Sequence, residues 1–263
     1  MLEICAIASG SNGNCYYIGN KKDAIIIDAG ISCRQILLRL RSKKLNPEKI
    51  KAAFISHEHS DHMRGARVLA KRLNIPVWLS AKTYYAAYKN LQPDYPNFFS
   101  PGIDLEVGDF IIHPFLKNHD AAEPCSFRVE HAGKNVGVFT DIGEPCDNVF
   151  SHLGLCDALF LETNYDETML REGPYPYFLK KRVASSKGHL SNIQALRLLE
   201  AHHGENLKCV FLSHLSAQNN TPELALATLN HKPQKYEVKL TSRYEAGEIF
   251  CINTPKRQET NSD

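Results

Sequence analysis

The sequence predicts an α/β (α+β) fold in which two β-rich halves face each other and helices cover their outer sides. Short apolar runs that are typical of buried strands alternate with segments of helical periodicity along most of the chain. A weak internal repeat supports two similar halves: a polar turn, an apolar strand and an Asp-x-Gly ending occur at 19–30 and again at 132–143. Chance similarity is the alternative explanation of this repeat.

Length and composition are those of a globular protein. The chain has 263 residues, of which 43% are hydrophobic, so we expect a single domain over 1–253 and a disordered polar tail over 254–263. No apolar run approaches the roughly 20 residues of a membrane helix. The amino terminus does not resemble a signal peptide, and the eight cysteines are scattered. We therefore expect a cytoplasmic protein with reduced thiols and no membrane partner.

The predicted strands are apolar runs bounded by polar turns. In chain order they cover 2–8, 16–18, 24–30, 52–55, 77–79, 109–115, 125–130, 134–139, 157–162 and 208–212. Helices are predicted where apolar residues recur at helical spacing. The first begins at Ser32, which has capping-box spacing to Gln35, and the others cover 63–73, 83–90, 191–202 and 222–229.

Residues 56–62, Ser-His-Glu-His-Ser-Asp-His, directly follow a predicted buried strand. Three imidazoles and two carboxylates this close together indicate metal ligands, because a cation would neutralise and orient them. In an extended segment His57 and His59 point the same way and can bind one ion. A turn into the next helix directs Asp61 and His62 towards a second ion. The alternative is a solvated turn that binds nothing.

Three more ligand-type residues follow predicted strands, and each taken alone could be a hydrogen-bonded core or loop residue. Together they complete two predicted sites: His57, His59 and His119 in the first, Asp61, His62 and His214 in the second, and Asp141 shared between them.

The motif His57-x-His59-x-Asp61-His62, followed by a distant His, Asp and His, resembles that of the metallo-β-lactamase-fold hydrolases. The resemblance extends to about Cys251 and implies a four-layer αββα sandwich with a dinuclear site at its rim. Further segments narrow the resemblance to the YycJ/WalJ-like subfamily: 9–14, 118–121, 140–143, 162–166, 188–192 and 214–216. That subfamily is similar to tRNase Z and to phosphonate-pathway cyclic phosphodiesterases, and it implies 5′-to-3′ exonuclease action on DNA.

The expected cofactors are two divalent metal ions, zinc, manganese or iron. Two such ions about 3.5–4 Å apart lower the pKa of a bridging water and hold the phosphate oxygens during attack. We expect Asp61 to accept the proton of this water or to orient it, and His189 to protonate the leaving oxygen. His189 and His214 compete for the last ligand position. We favour His214 as the ligand because it emerges from a buried strand. Asp28 is expected to anchor the site, and Glu162 to orient His189.

The substrate contacts are predicted from polar loops and from clustered charge. Six residues are candidates for binding substrate: Ser9, Asn12, Asn14, Tyr165, Lys187 and Asn192. Basic residues cluster at 180–187, near Tyr175, Tyr177 and Phe178, and this combination is typical of single-strand binding. We therefore expect DNA ends or single strands as the substrate. A small-molecule cyclic phosphodiesterase, a thioesterase, an RNA-processing hydrolase and a non-catalytic binding module are the alternatives.

Overall fold

Two mixed β-sheets of seven strands each form the inner layers of the computed structural model, which describes residues 1–254. The strands are β1 (Leu2–Ala8), β2 (Cys15–Gly19), β3 (Ala24–Ile27), β4 (Ile50–Phe54), β5 (Val77–Ser80), β6 (Pro96–Phe99), β7 (Leu105–Val107), β8 (Phe110–Leu116), β9 (Cys125–His131), β10 (Lys134–Phe139), β11 (Ala158–Glu162), β12 (Cys209–Ser213), β13 (Glu237–Leu240) and β14 (Phe250–Ile252). The first sheet has the order β14-β1-β2-β3-β4-β5-β6, and the second has the order β13-β12-β11-β10-β9-β8-β7.

The helices form the two outer layers. They are α1 (Cys33–Ser42), α2 (Ser60–Met63), α3 (Ala66–Leu73), α4 (Ala81–Ala86), α5 (Asp147–Leu153), α6 (Glu167–Glu172), α7 (Tyr177–Val183), α8 (Asn192–His202) and α9 (Pro222–Leu229), with a short 3-10 helix at Pro47–Lys49. Helices α1 and α3 pack on the first sheet, and α5, α8 and α9 pack on the second. The predicted αββα sandwich is therefore confirmed.

The central core lies between the two sheets. Tyr16 of the first sheet and Phe160 of the second have ring centroids 4.9 Å apart, and Phe54 lies edge-on to Phe127 at 5.9 Å. The middle strands are buried on both faces, which explains why they are continuous apolar runs without polar alternation.

The strand ends position the candidate site. Strands β3 and β4 are parallel to each other, and so are β10, β11 and β12, so the carboxyl ends within each set meet at one edge. Asp28, His57, Asp141, Glu162 and His214 lie at or just after these ends. Asp28 and Asp141, the matching residues of the internal repeat, both have a left-handed backbone, with φ of 59° and 54°.

Two predicted helices differ from the structure. The predicted helix 63–73 is broken at Gly65, whose N–H donates to Ala29 O at 2.7 Å. A side chain there would place its Cβ 2.1 Å from Ile31 O, so this close approach requires glycine. The predicted helix 83–90 is shorter and begins earlier, as α4.

Apart from Thr254, the predicted tail lies outside the described residues, and the single-domain assignment stays a prediction. Within 1–254, no helix combines the length and the apolar character that crossing a membrane requires.

Candidate metal centre

The structure brings the seven predicted ligand side chains into one cluster. Ligand atoms lie within 4.8 Å of one another in four overlapping groups: His57, His59 and His119; His57, His62 and Asp141; Asp61, His62 and His214; and Asp141, Glu162, His189 and His214. Asp141 connects the groups, because its Oδ2 lies 3.1 Å from His62 Nε2 and its Oδ1 lies 3.8 Å from His119 Nε2. The number of ions and the sharing of Asp141 between them stay predictions.

Four of the imidazoles are held through Nδ1. The partner atoms are Ser56 Oγ for His57 (2.9 Å), Asp28 Oδ2 for His62 (2.7 Å), Gly188 O for His119 (3.0 Å) and Glu162 Oε1 for His214 (2.9 Å). Partners of this kind fix the ring orientation and direct Nε2 towards the cluster, where it can bind a metal. Asp28 therefore lies where an anchoring carboxylate was expected.

Two of these Nε2 atoms indicate that the cluster fits a cation. The Nε2 atoms of His119 and His214 are buried and have no hydrogen-bond partner among the described residues. A buried polar atom without a partner costs about 1–3 kcal/mol. Nitrogen and carboxylate ligands that surround such atoms fit a divalent transition metal, which would supply the missing partner.

The electrostatics of the cluster also fit cation binding. Burial alone would lower the pKa of His214, but Asp141, Asp61 and Glu162 together raise it to about 10. The pKa of His62 is likewise raised, because Asp141, Asp28 and Asp61 outweigh its burial. Without metal these two imidazoles therefore hold protons that balance the carboxylates. A divalent cation would replace those protons.

His214 has a strained backbone that two polar side chains hold in place. Its φ is 56°, an uncommon value for histidine. Its N–H donates to Ser9 Oγ at 2.8 Å, and its carbonyl accepts from Asn164 Nδ2, also at 2.8 Å. Nothing in the sequence indicates this role of Asn164, because an Asn that follows a strand gives no local sign of a distant carbonyl partner.

Glu162 joins the two histidines that compete for the last ligand position. Its Oε1 lies 2.8 Å from His189 Nδ1 and 2.9 Å from His214 Nδ1. Its Oε2 accepts from the N–H groups of Ile142 and Leu190. The His189 side chain is 22% exposed, whereas that of His214 is 2% exposed. His189 is thus the more accessible of the two from the cleft.

Two of the predicted substrate contacts, in the 9–14 loop, have internal hydrogen-bond partners, and their contact with substrate stays a prediction. Ser9 and Asn14 are buried, and their side chains are engaged within the protein. Besides its bond to the His214 backbone, Ser9 pairs with Tyr16 Oη at 2.9 Å. Asn14 bonds to the backbone of Gly10 and lies 3.1 Å from His62 Nε2. Ser9 and Asn14 therefore help to hold the ligands His214 and His62 in place. Asn12 is exposed.

Two more predicted contacts are also buried. The Tyr165 hydroxyl donates to Gln194 at 3.4 Å, and Asn192 exchanges amide hydrogen bonds with Asn220 at 3.0 and 2.9 Å. These hydrogen bonds connect neighbouring loops, and contact of the two residues with substrate stays a prediction. Of the six predicted contacts, Lys187 lines the cleft.

The cleft beside the cluster has a volume of about 210 Å³. Besides cluster residues, its walls contain Asn164, Ser216 and Asn219, and on the side of helix α7 Tyr175, Leu179, Arg182 and Val183. The basic and aromatic residues of this segment are evident in the sequence, but α7 was not predicted, because none of its side chains is buried and it has no apolar periodicity.

A sandwich of this topology, with a His-x-His-x-Asp-His turn at the shared strand edge, defines a class of metal-binding hydrolase folds. Residues 8–186 match the family described as the Metallo-beta-lactamase superfamily, and the chain belongs to that family.

Within it the chain is similar to bacterial proteins named as exodeoxyribonucleases. It is 33% identical to Exodeoxyribonuclease YycJ of Bacillus anthracis over 255 residues, which are 96% of this chain and 94% of that protein. It is also 33% identical to Exodeoxyribonuclease WalJ of Streptococcus pneumoniae over 228 residues, 85% of each chain. The chain is a YycJ/WalJ-like member of the superfamily.

A solved structure agrees on the fold alone. The metallo-β-lactamase fold protein YhfI of Bacillus subtilis has a TM-score of 0.70 and 19% identity, covering 94% of this chain and 100% of that one.

Proposed function

We propose that the protein is a dinuclear-metal phosphodiesterase that acts as a 5′-to-3′ DNA exonuclease. The observation that carries the proposal is the convergence of the seven ligand-type side chains into overlapping groups at one site, with Asp141 close to both His62 and His119. The names of the YycJ and WalJ relatives, which align over most of the chain, support DNA as the substrate. The cytoplasmic location expected from the sequence stays a prediction.

The ligand roles follow from the grouping. One ion would be held by His57, His59 and His119, the other by Asp61, His62 and His214, with Asp141 contributing to both. Zinc, manganese and iron all suit these ligands. When bound, the pair supplies Lewis acidity and positive charge at the phosphate that is to be cleaved.

Asp61 and His189 would move the protons. The Asp61 side chain is 21% exposed, and its pKa is lowered: burial opposes ionisation, but His62 and His214 outweigh it. The carboxylate is therefore ionised and can orient the attacking water by accepting a hydrogen bond from it; transfer of the proton to Asp61 would need its pKa to rise. His189 is fixed through Nδ1 by Glu162, so its Nε2 is the atom that can protonate the leaving oxygen.

Hydrogen bonds join the segments that border the cleft, which supports action at a strand end. The loop that carries His119 is joined to the loop that carries His189 by Asp120 N to Lys187 O (3.0 Å) and His119 Nδ1 to Gly188 O (3.0 Å), and to helix α7 by Arg182 Nε to Asp120 Oδ2 (3.1 Å). The loop that carries Asp141 is joined to the His189 loop by Glu144 N to Ser186 O (2.8 Å). In this proposal a strand that enters the cleft stops at these loops.

A small-molecule cyclic phosphodiesterase is the second candidate. The observation that favours it is the volume of the cleft, about 210 Å³, which suits a single nucleotide unit as well as the end of a chain.

The test is a nuclease assay on protein loaded with zinc or manganese. Substrates are 5′-labelled and 3′-labelled linear DNA and RNA, a circular single strand of the same DNA sequence, and bis(p-nitrophenyl) phosphate. We expect mononucleotide release from the 5′ end of linear DNA and an intact circle. Turnover of bis(p-nitrophenyl) phosphate with both nucleic acids intact would favour the second candidate, and cleavage of the circle would contradict an exonuclease.

A further inference from the structure

Helix α7 presents two large aromatic side chains to solvent. Tyr177 and Phe178 are each 73% exposed, and no side chain of this seven-residue helix is buried. Adjacent exposed aromatic rings are unusual on a folded protein, because the apolar area stays in contact with water. They are typical of surfaces that bind a partner.

The aromatic pair is continuous with the candidate active site. Leu179, Arg182 and Val183 of the same helix line the cleft, and their spacing places them on one helical face. Phe178 lies one turn before Arg182, next to that face, whereas Tyr177 lies on the opposite side of the helix. A chain that leaves the cleft across Arg182 therefore meets Phe178 first and reaches Tyr177 by continuing round the helix.

The charge beside these rings is positive. Lys181 Nζ lies 4.8 Å from the centroid of the Tyr177 ring, and Lys181 forms no ion pair among residues 1–254. Lys187 is exposed at the cleft. Aromatic faces next to uncompensated lysines are complementary to unpaired bases on a polyanionic backbone.

We infer that α7 is a binding platform for single-stranded DNA, on which bases next to the cleaved nucleotide stack on Phe178 and Tyr177. The inference rests on the proposed nuclease function and specifies its substrate as an unpaired strand. Bases inside a duplex are stacked on each other and present only their edges, so they cannot use this surface.

The test compares substrates of different length. We would measure kcat and KM of Tyr177→Ala, Phe178→Ala and the double variant on single-stranded DNA of two and of eight nucleotides, and on bis(p-nitrophenyl) phosphate. Loss of stacking should raise KM for the eight-nucleotide strand about fivefold or more for each ring removed. The value of kcat, and both constants for the other two substrates, should stay within twofold of wild type.

Two controls separate stacking from folding. Tyr85→Ala removes an equally exposed ring, 76% exposed on the short helix α4, and should change nothing. Phe178→Tyr keeps an aromatic face and should retain the wild-type KM.

An unchanged KM for the eight-nucleotide strand in the double variant would overturn the inference. So would an equal loss on all three substrates, which would indicate a structural role for α7. If the wild-type protein turns over bis(p-nitrophenyl) phosphate but neither DNA, the proposed function itself fails.

Discussion

Replacing Glu162 by Gln tests how strongly the site depends on one buried carboxylate. Glu162 accepts four hydrogen bonds, two from imidazole Nδ1 atoms and two from backbone N–H groups. The amide of Gln has the same size but only one acceptor oxygen, so its NH2 group must face two of these donors. If the oxygen stays with the backbone, the NH2 group faces His189 and His214.

The magnitude follows from those contacts. Two buried donors without acceptors would cost about 2–6 kcal/mol, at about 1–3 kcal/mol each. The imidazoles avoid part of this cost by moving their proton to Nε2, but a protonated Nε2 of His214 cannot bind a metal. We therefore expect a fall in metal affinity of about 10–100-fold, as for other partners of metal-bound histidines.

The assay is equilibrium dialysis against zinc, together with the melting temperature in chelator. Glu172→Gln is the matched control, because the Glu172 side chain is 69% exposed and lies away from the cluster. A Glu162→Gln protein with the metal affinity and melting temperature of wild type would refute this account of the carboxylate.

Three further predictions test the ligands, the metals and a distant histidine. Asp61→Ala and His189→Ala should each abolish turnover, but elemental analysis should find reduced metal only in Asp61→Ala; metal loss in His189→Ala instead would reverse the assignment of His189 and His214. Chelator should lower the melting temperature of wild type, because it restores unpartnered imidazole atoms in the cluster, and an unchanged value would contradict a resident metal. Burial, aided by Arg128, lowers the pKa of His152 to about 4, so an unfolded chain takes up a proton below about pH 6.5 that the folded protein does not. The free energy of unfolding should thus fall as the pH is lowered from 6.5 to 4. In urea unfolding, His152→Gln should reduce this fall by about 1 kcal/mol, after allowance for solvent screening. Identical pH profiles of wild type and His152→Gln would refute this prediction.

Much of the site could be predicted because its residues follow apolar strands. Ligand-type residues were expected to meet because they follow predicted strands, and the structure brings those after β4 of one sheet and β10 and β12 of the other together. Glu162 ends β11 on the same edge, which is why its proximity to His189 could also be anticipated.

The outward side of the site could not be predicted in the same way. Whether Ser9 or Asn192 faces a substrate or the interior depends on distant backbone partners, which leave no local pattern in the sequence. Helix α7 has no buried face and therefore no apolar periodicity, so its basic and aromatic residues could be singled out but the helix itself could not be predicted. The break at Gly65 likewise depends on contact with a separate segment.

Anomalous diffraction from a zinc-loaded crystal is the most direct test of the paired-ion centre. We predict two peaks within the cluster, one bounded by His57, His59 and His119 and the other by Asp61, His62 and His214, with Asp141 between them. A single peak, or peaks that lie outside these side chains in a protein that degrades DNA, would contradict it.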